Sequence, residues 1–223
     1  MKLTKNWLFA AILSCGSVHV LATELVDMGS RLTQAKFDIR YASNNNFVGS
    51  KITGYLAPKC LLTPPAAKAL VKVEQSLAKQ NMRLKIFDCY RPEKAVAHFM
   101  QWAEDLSDTK TKAEYYPQLQ KSKLVPDYIA SRSGHSRAYT IDLTLEQQNQ
   151  SGQYQELDMG SPFDLFDTLS NVHDKRISKT QRQNRLLLQS VMKQHGYQPY
   201  LLEWWHFTHQ SDPRDTYLNQ DVK

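Results

Sequence analysis

This 223-residue chain is short of several things, and each shortage removes a class of explanation. No apolar run approaches the roughly 20 residues that a membrane-crossing helix needs; the one at the N-terminus extends only from Trp7 to Leu13. No block of like charge occurs. The formal net charge is +6, but the basic residues come as short alternating stretches such as Lys110-Thr111-Lys112 and Lys121-Ser122-Lys123, which read as solvated surface. A nucleic-acid-binding face needs dense basic residues with stacking aromatics, and that pattern is missing. No internal repeat or low-complexity linker divides the chain, so its length suits one domain with a sizeable core. Cysteine is scarce, with three in all. Cys89 lies between Asp88 and Tyr90 without a convincing base, which speaks against a thiol nucleophile.

What is present begins with an export signal. Lys2 and Lys5 precede the apolar stretch, and Val20-Leu21-Ala22 offers acceptable residues where a signal peptidase reads, so residues 1–22 are expected to be a secretory leader and 23–223 the mature domain. The expected location is the periplasm. Ile12-Leu13-Ser14-Cys15 also has the form of a lipoprotein box, which makes a lipid anchor at Cys15 the alternative. Cleavage after Ala22 removes two lysines and no acidic residue, leaving a net charge of +4, and retains Cys60 and Cys89. An even count in an exported domain permits one disulfide, with simple packing as the other reading.

The chemistry is concentrated in two short segments. Ser133-Gly134-His135 is followed seven residues later by Asp142, and Glu203-Trp204-Trp205-His206 stands near the C-terminus. His135, Asp142 and His206 supply two imidazoles and one carboxylate, a set able to hold one zinc ion per chain while leaving a fourth position for water. Such a metal brings the pKa of that water to about 7. Glu203 is the candidate base. Residues seven or three apart fall on opposite faces of an ideal strand, so His135 is expected on a loop entering the strand of Asp142, and Glu203 on the approach to that of His206, with bends or bulges at both.

These segments, with Phe37-Asp38-Ile39-Arg40-Tyr41-Ala42, Asn46-Phe47-Val48-Gly49, Asp88-Cys89-Tyr90-Arg91-Pro92 and Met159-Gly160-Ser161-Pro162-Phe163-Asp164, resemble the D-alanyl-D-alanine dipeptidases, a family of zinc peptidases. The likeness runs in family order from about residue 25 to 210. It implies a small dipeptide substrate, His135, Asp142 and His206 as zinc ligands, and Glu203 as general base. It also implies that Arg91 stabilises the oxyanion, that Asp164 pairs with the free ammonium of the substrate, and that Ser133 contacts substrate beside the metal. The family usually has Gly and Ala where this chain has Ala138 and Thr140, changes expected to narrow the pocket or alter the turn. Two other functions stand beside this one. A carboxypeptidase or endopeptidase acting on peptidoglycan stem peptides would use related chemistry, although an acidic anchor at Asp164 would penalise longer substrates by leaving its charge unpaired. A non-catalytic module reading peptidoglycan fragments is the other.

Several of these residues also admit plain structural readings. Arg91 could open a helix or pair with Asp88, and Asp164 sits in a Pro-Phe-Asp turn where Asp is common. Trp204 and Trp205 read as core and wall, and His98, His173, His195 and His209 as structural. The element order is mixed. The Thr63-Pro64-Pro65 segment opens a helix running towards Gln80, a strand follows through Leu84, Ile86 and Phe87, and Pro92 starts a second helix through Val96, Phe99 and Trp102. Residues 105–128 are expected to cover the cleft, and a helix from about Thr180 to His195 ends at Gly196. The expected fold is a single α+β domain in which a small, mostly antiparallel sheet carries the zinc site and helices cover it.

Overall fold

A computed structural model describes residues 24–223. The expected leader, with Cys15 inside it, lies outside the described residues. In chain order the elements are β1 (Val26–Asp27), β2 (Lys36–Phe37), β3 (Leu61–Leu62), α1 (Pro64–Ala78), β4 (Met82–Asp88), α2 (Glu93–Glu104), α3 (Lys112–Tyr115), β5 (Thr140–Gln148), β6 (Tyr154–Glu156), α4 (Lys179–Gln194), β7 (Tyr197–Pro199) and β8 (His206–His209). Among the described residues no helix is long and apolar enough to cross a membrane.

The main sheet has the order β2-β4-β5-β8-β7, with β6 paired to the far end of β5; only β2 and β4 run parallel. β1 and β3 form a separate pair. The mostly antiparallel α+β fold expected from the sequence is the one observed. β5 is central because it can be buried on both faces. Its alternation sends Ile141, Leu143 and Leu145 to one side and Thr140, Asp142, Thr144 and Glu146 to the other, and all seven are buried. Each of the three apolar side chains contributes roughly 1.5–3 kcal/mol by leaving water.

Helices form where the sequence marks their ends. α4 starts with a reciprocal capping box between Ser178 and Gln181, and stops before Gly196, whose φ of +85° is costly for any residue with a β-carbon. α1 begins as expected at Pro64, but Thr63 is a cap in position only, since its side chain makes no capping bond. The proline pair removes the N–H groups of the first two helical positions, and the remaining candidate donor, the Ala66 N–H, is not bonded by the Thr63 hydroxyl. α1 and α4 pack on each other and on β4 and β7. Arg185 of α4 is wholly buried and donates to the carbonyls of Met159, Leu169 and Asn171, which fastens the 159–171 segment to the helix.

Candidate metal centre

Three strands bring one row of polar residues into line. Asp88 of β4 stands opposite Asp142 of β5, and Asp142 stands opposite His206 of β8. A bulge makes the first pairing possible. Between Ile86 and Asp88 the register shifts so that β4 spends one extra residue, and without it Phe87 would face Asp142. The bulge expected near His135 and Glu203 is therefore found on the neighbouring strand, while bends occur at the two expected places. His135 lies on a 3-10 turn, Gly134–Arg137, capped by Ser133, whose Oγ accepts from the His135 N–H at 3.3 Å. Glu203 lies on the turn entering β8, its N–H donating to the Tyr200 carbonyl at 3.3 Å.

The 3-10 turn closes at Ala138, which has φ +60° and ψ +25°, a left-handed conformation that costs a residue with a β-carbon roughly 1 kcal/mol more than glycine. Ala138 is fully buried, and neither it nor Thr140 lines the cleft. Thr140 instead pairs its hydroxyl with that of Thr208 at 2.9 Å. Neither side chain enters the cleft, and the left-handed turn at Ala138 carries a cost in strain.

The donor atoms converge. His135 Nε2 is 3.3 Å from His206 Nδ1 and 3.2 Å from Asp142 Oδ2, and His206 Nδ1 is 3.1 Å from Asp142 Oδ1. Ligands about 2.0–2.1 Å from a tetrahedral zinc are separated by roughly 3.3–3.4 Å, so these donors already stand at the edge lengths of such a site. Two further observations fit. The Cys89 carbonyl lies 2.7 Å from His135 Nδ1, which keeps the proton of the neutral imidazole on that side and leaves the lone pair of Nε2 facing the cluster. Asp142 Oδ1 is buried without a hydrogen-bond partner, an orphaned acceptor that a cation would satisfy. Burial alone would raise the Asp142 carboxyl, but His135 and His206 outweigh it and hold it below the usual carboxylate range. Among the described residues this is the one such cluster of three.

Around it lies a cleft of about 260 Å³. The Glu203 carboxylate comes within 3.4 Å of His206 Nδ1 and keeps 24% of its side chain exposed. Burial by the cleft walls lifts its pKa to about 7, against the opposing charges of His206 and Arg91. Arg91 sits at the β4–α2 junction. Both of its structural readings hold together with a place in the cleft: it donates to Asp88 at 2.9 Å, lies 3.6 Å from Asp142, and rests over Tyr41 and Phe99. Asp164 is buried at φ +61° and accepts from the Tyr41 hydroxyl at 2.9 Å. Burial, followed by the Asp142 charge, raises its pKa well above the ordinary value, which biases the empty site towards the neutral acid. Trp205 is a cleft wall and Trp204 is core, its Nε1 donating to Ser161 Oγ at 2.9 Å. His98, His173, His195 and His209 do not line the cleft.

Two residues escaped sequence reasoning as functional groups. Asp88 is wholly buried, accepts from Tyr55 at 2.6 Å, and anchors the Arg91 guanidinium. Tyr41 anchors Asp164. The signal was their presence in two of the segments that carry the family likeness and, for Asp88, its place three residues before Arg91.

Comparison with known proteins points to one family. The sequence model described as D-ala-D-ala dipeptidase matches residues 21–223. A D-alanyl-D-alanine dipeptidase of Enterococcus faecium is 37% identical over 190 residues, covering 84% of this chain and 93% of that protein. One from Enterococcus faecalis is 38% identical, covering 82% of this chain and 91% of its own length, and one from Escherichia coli is 31% identical, covering 83% and 84%. With a full-length family match and close relatives aligned along most of their length, the chain belongs to the D-ala-D-ala dipeptidase family of zinc peptidases.

Proposed function

We propose that this protein hydrolyses D-alanyl-D-alanine to two molecules of D-alanine, with one zinc ion held by His135, Asp142 and His206. The observation that carries the reading is the three-donor cluster at zinc-like separations beside a free carboxylate, in a cleft whose wall bears a buried acid. Its curated relatives carry that activity in their names.

Zinc, when bound, supplies Lewis acidity at the scissile carbonyl and acidifies water at neutral pH. The chain's own residues do the rest. Glu203 accepts the proton of the attacking water and returns it to the leaving amine. Arg91 directs a fixed fork of donors at the oxygen where charge develops, and Asp88 holds that fork in place. Asp164, steadied by Tyr41, receives the substrate ammonium and ionises as it does so. Ser133 contacts the substrate beside the metal. Tyr128, Ile129 and Trp205 line the cleft wall.

Export to the bacterial envelope is part of the proposal, supported by Lys2, Lys5, the short apolar run and the Val20-Leu21-Ala22 site. The exported product should begin at Thr23; a product beginning at a lipid-modified Cys15 would replace the periplasmic location with an anchored one.

The purified protein should release D-alanine from D-alanyl-D-alanine in a chelator-sensitive manner, and act far more slowly on the N-acetylated dipeptide, on L-alanyl-L-alanine and on a D-Ala-terminated pentapeptide. Asp164→Asn should raise KM for the dipeptide about 100-fold, the loss expected for one buried ion pair, while zinc content stays unchanged. Preferential cleavage of the pentapeptide would overturn the dipeptidase reading. Wild-type KM in Asp164→Asn would remove the ammonium anchor.

A further inference from the structure

Resting on the zinc reading, we infer that the Cys60–Cys89 disulfide is a positioning element of the metal centre, and sets how tightly His135 holds the ion. The two cysteines are joined, with Cα atoms 5.1 Å apart and a sequence separation of 29. Both are buried, at 0% and 1% exposure.

Residues 88–91 serve the site three times over. Asp88 anchors the guanidinium, Arg91 carries it, and between them the Cys89 carbonyl accepts from His135 Nδ1 at 2.7 Å. β4 ends at Asp88, just past the bulge, so the sheet ladder no longer holds residues 89–91. Its remaining backbone bonds are Tyr90 N–H to the Leu61 carbonyl at 3.0 Å and Arg91 N–H to the His135 carbonyl at 3.3 Å. The disulfide is the covalent tie. It fastens Cys89 to Cys60, which precedes β3 and is itself held by the Met28 N–H at 2.9 Å. The position of the Cys89 carbonyl, and through it the ring of His135, is thus referred to the β1–β3 pair.

Breaking the bond has a geometric consequence. Bonded sulfurs sit about 2 Å apart, whereas unbonded heavy atoms need roughly 3.5–4 Å. Two thiols in a close-packed core must separate by more than an ångström, and Cys89 moves against the His135 hydrogen bond. Loss of an outer-shell partner to a metal-bound histidine lowers metal affinity about 10–100-fold.

The test compares the oxidised full-length mature protein with the same protein reduced after folding, and with C60A/C89A. The reductant is a water-soluble phosphine: it gives two electrons to the disulfide, water supplies two protons to the thiolates and one oxygen to the phosphine, and two thiols with one phosphine oxide result. The readouts are the zinc Kd by competition with a chromophoric chelator, the visible spectrum of the Co(II)-loaded protein, and the Tm of the metal-free protein. Zinc Kd should rise at least 10-fold in both altered forms, with a changed Co(II) spectrum, at temperatures where circular dichroism is native. A lower Tm with Kd within about twofold of wild type would overturn the inference, because the bridge would then only stabilise the fold. Unfolding of both altered forms would overturn it equally. Failure of the oxidised wild type to bind one zinc, or unchanged affinity in His135→Ala, would instead strike the zinc reading itself.

Discussion

Glu203→Gln should lower kcat about 10³-fold while the protein still binds one zinc per chain, since removing a positioned general base costs on the order of 10²–10⁴ in rate. The replacement is nearly isosteric and leaves the three ligands in place, so zinc content measured after dialysis separates loss of the base from loss of the metal. Glu203 also predicts the pH dependence. Its pKa is raised by burial from the ordinary 4.5 to about 7 in the metal-free site, and a bound cation beside it draws the value back down. Only the ionised form accepts a proton, so kcat/KM should rise with pH along an acid limb between these two values. In the metal-free protein the raised pKa means that ionised Glu203 costs stability, a penalty that begins above 4.5 and grows until pH 7. Metal-free Glu203→Gln should accordingly be more stable than wild type at pH 8 and no more stable at pH 4. Near-normal turnover in this variant would remove Glu203 from the role of base.

His206→Ala should abolish turnover by abolishing the metal, with zinc Kd raised more than about 100-fold, beyond the range that outer-shell changes produce. Asp142→Asn should do the same, with an added cost. Asp142 is held ionised below the usual carboxylate range by two imidazoles at 3.2 and 3.1 Å. A depressed pKa of this kind contributes stability above the ordinary carboxylate value and loses it as the pH falls through the lowered one. The metal-free Asn variant should therefore be less stable than wild type at pH 7, with the difference shrinking in strong acid. Native mass spectrometry and denaturant unfolding read the two effects independently. Full zinc retention in either variant would displace that residue from the ligand set.

Much of this was legible in the sequence because it is local. The prolines opening α1 and α2 and the glycine after α4 are decided within a few residues, and each element appeared close to its expected place. The proposed ligands were legible for a different reason: a histidine, an aspartate and a Glu-x-x-His in family order allow few other uses.

By itself, then, the sequence determined the helices, the central strand, the family and the four residues proposed to carry the chemistry, since local backbone preference and side-chain type suffice for those. Only the tertiary structure decided the rest. Tyr41 reaches Asp164 across 123 residues, His135 meets His206 across 71, and one bulge in β4 chooses which residue faces Asp142. The bridge between Cys60 and Cys89 and the left-handed turn at Ala138 are settled in the same way. Such contacts arise from the register and packing of distant segments, which leave no periodic trace along the chain.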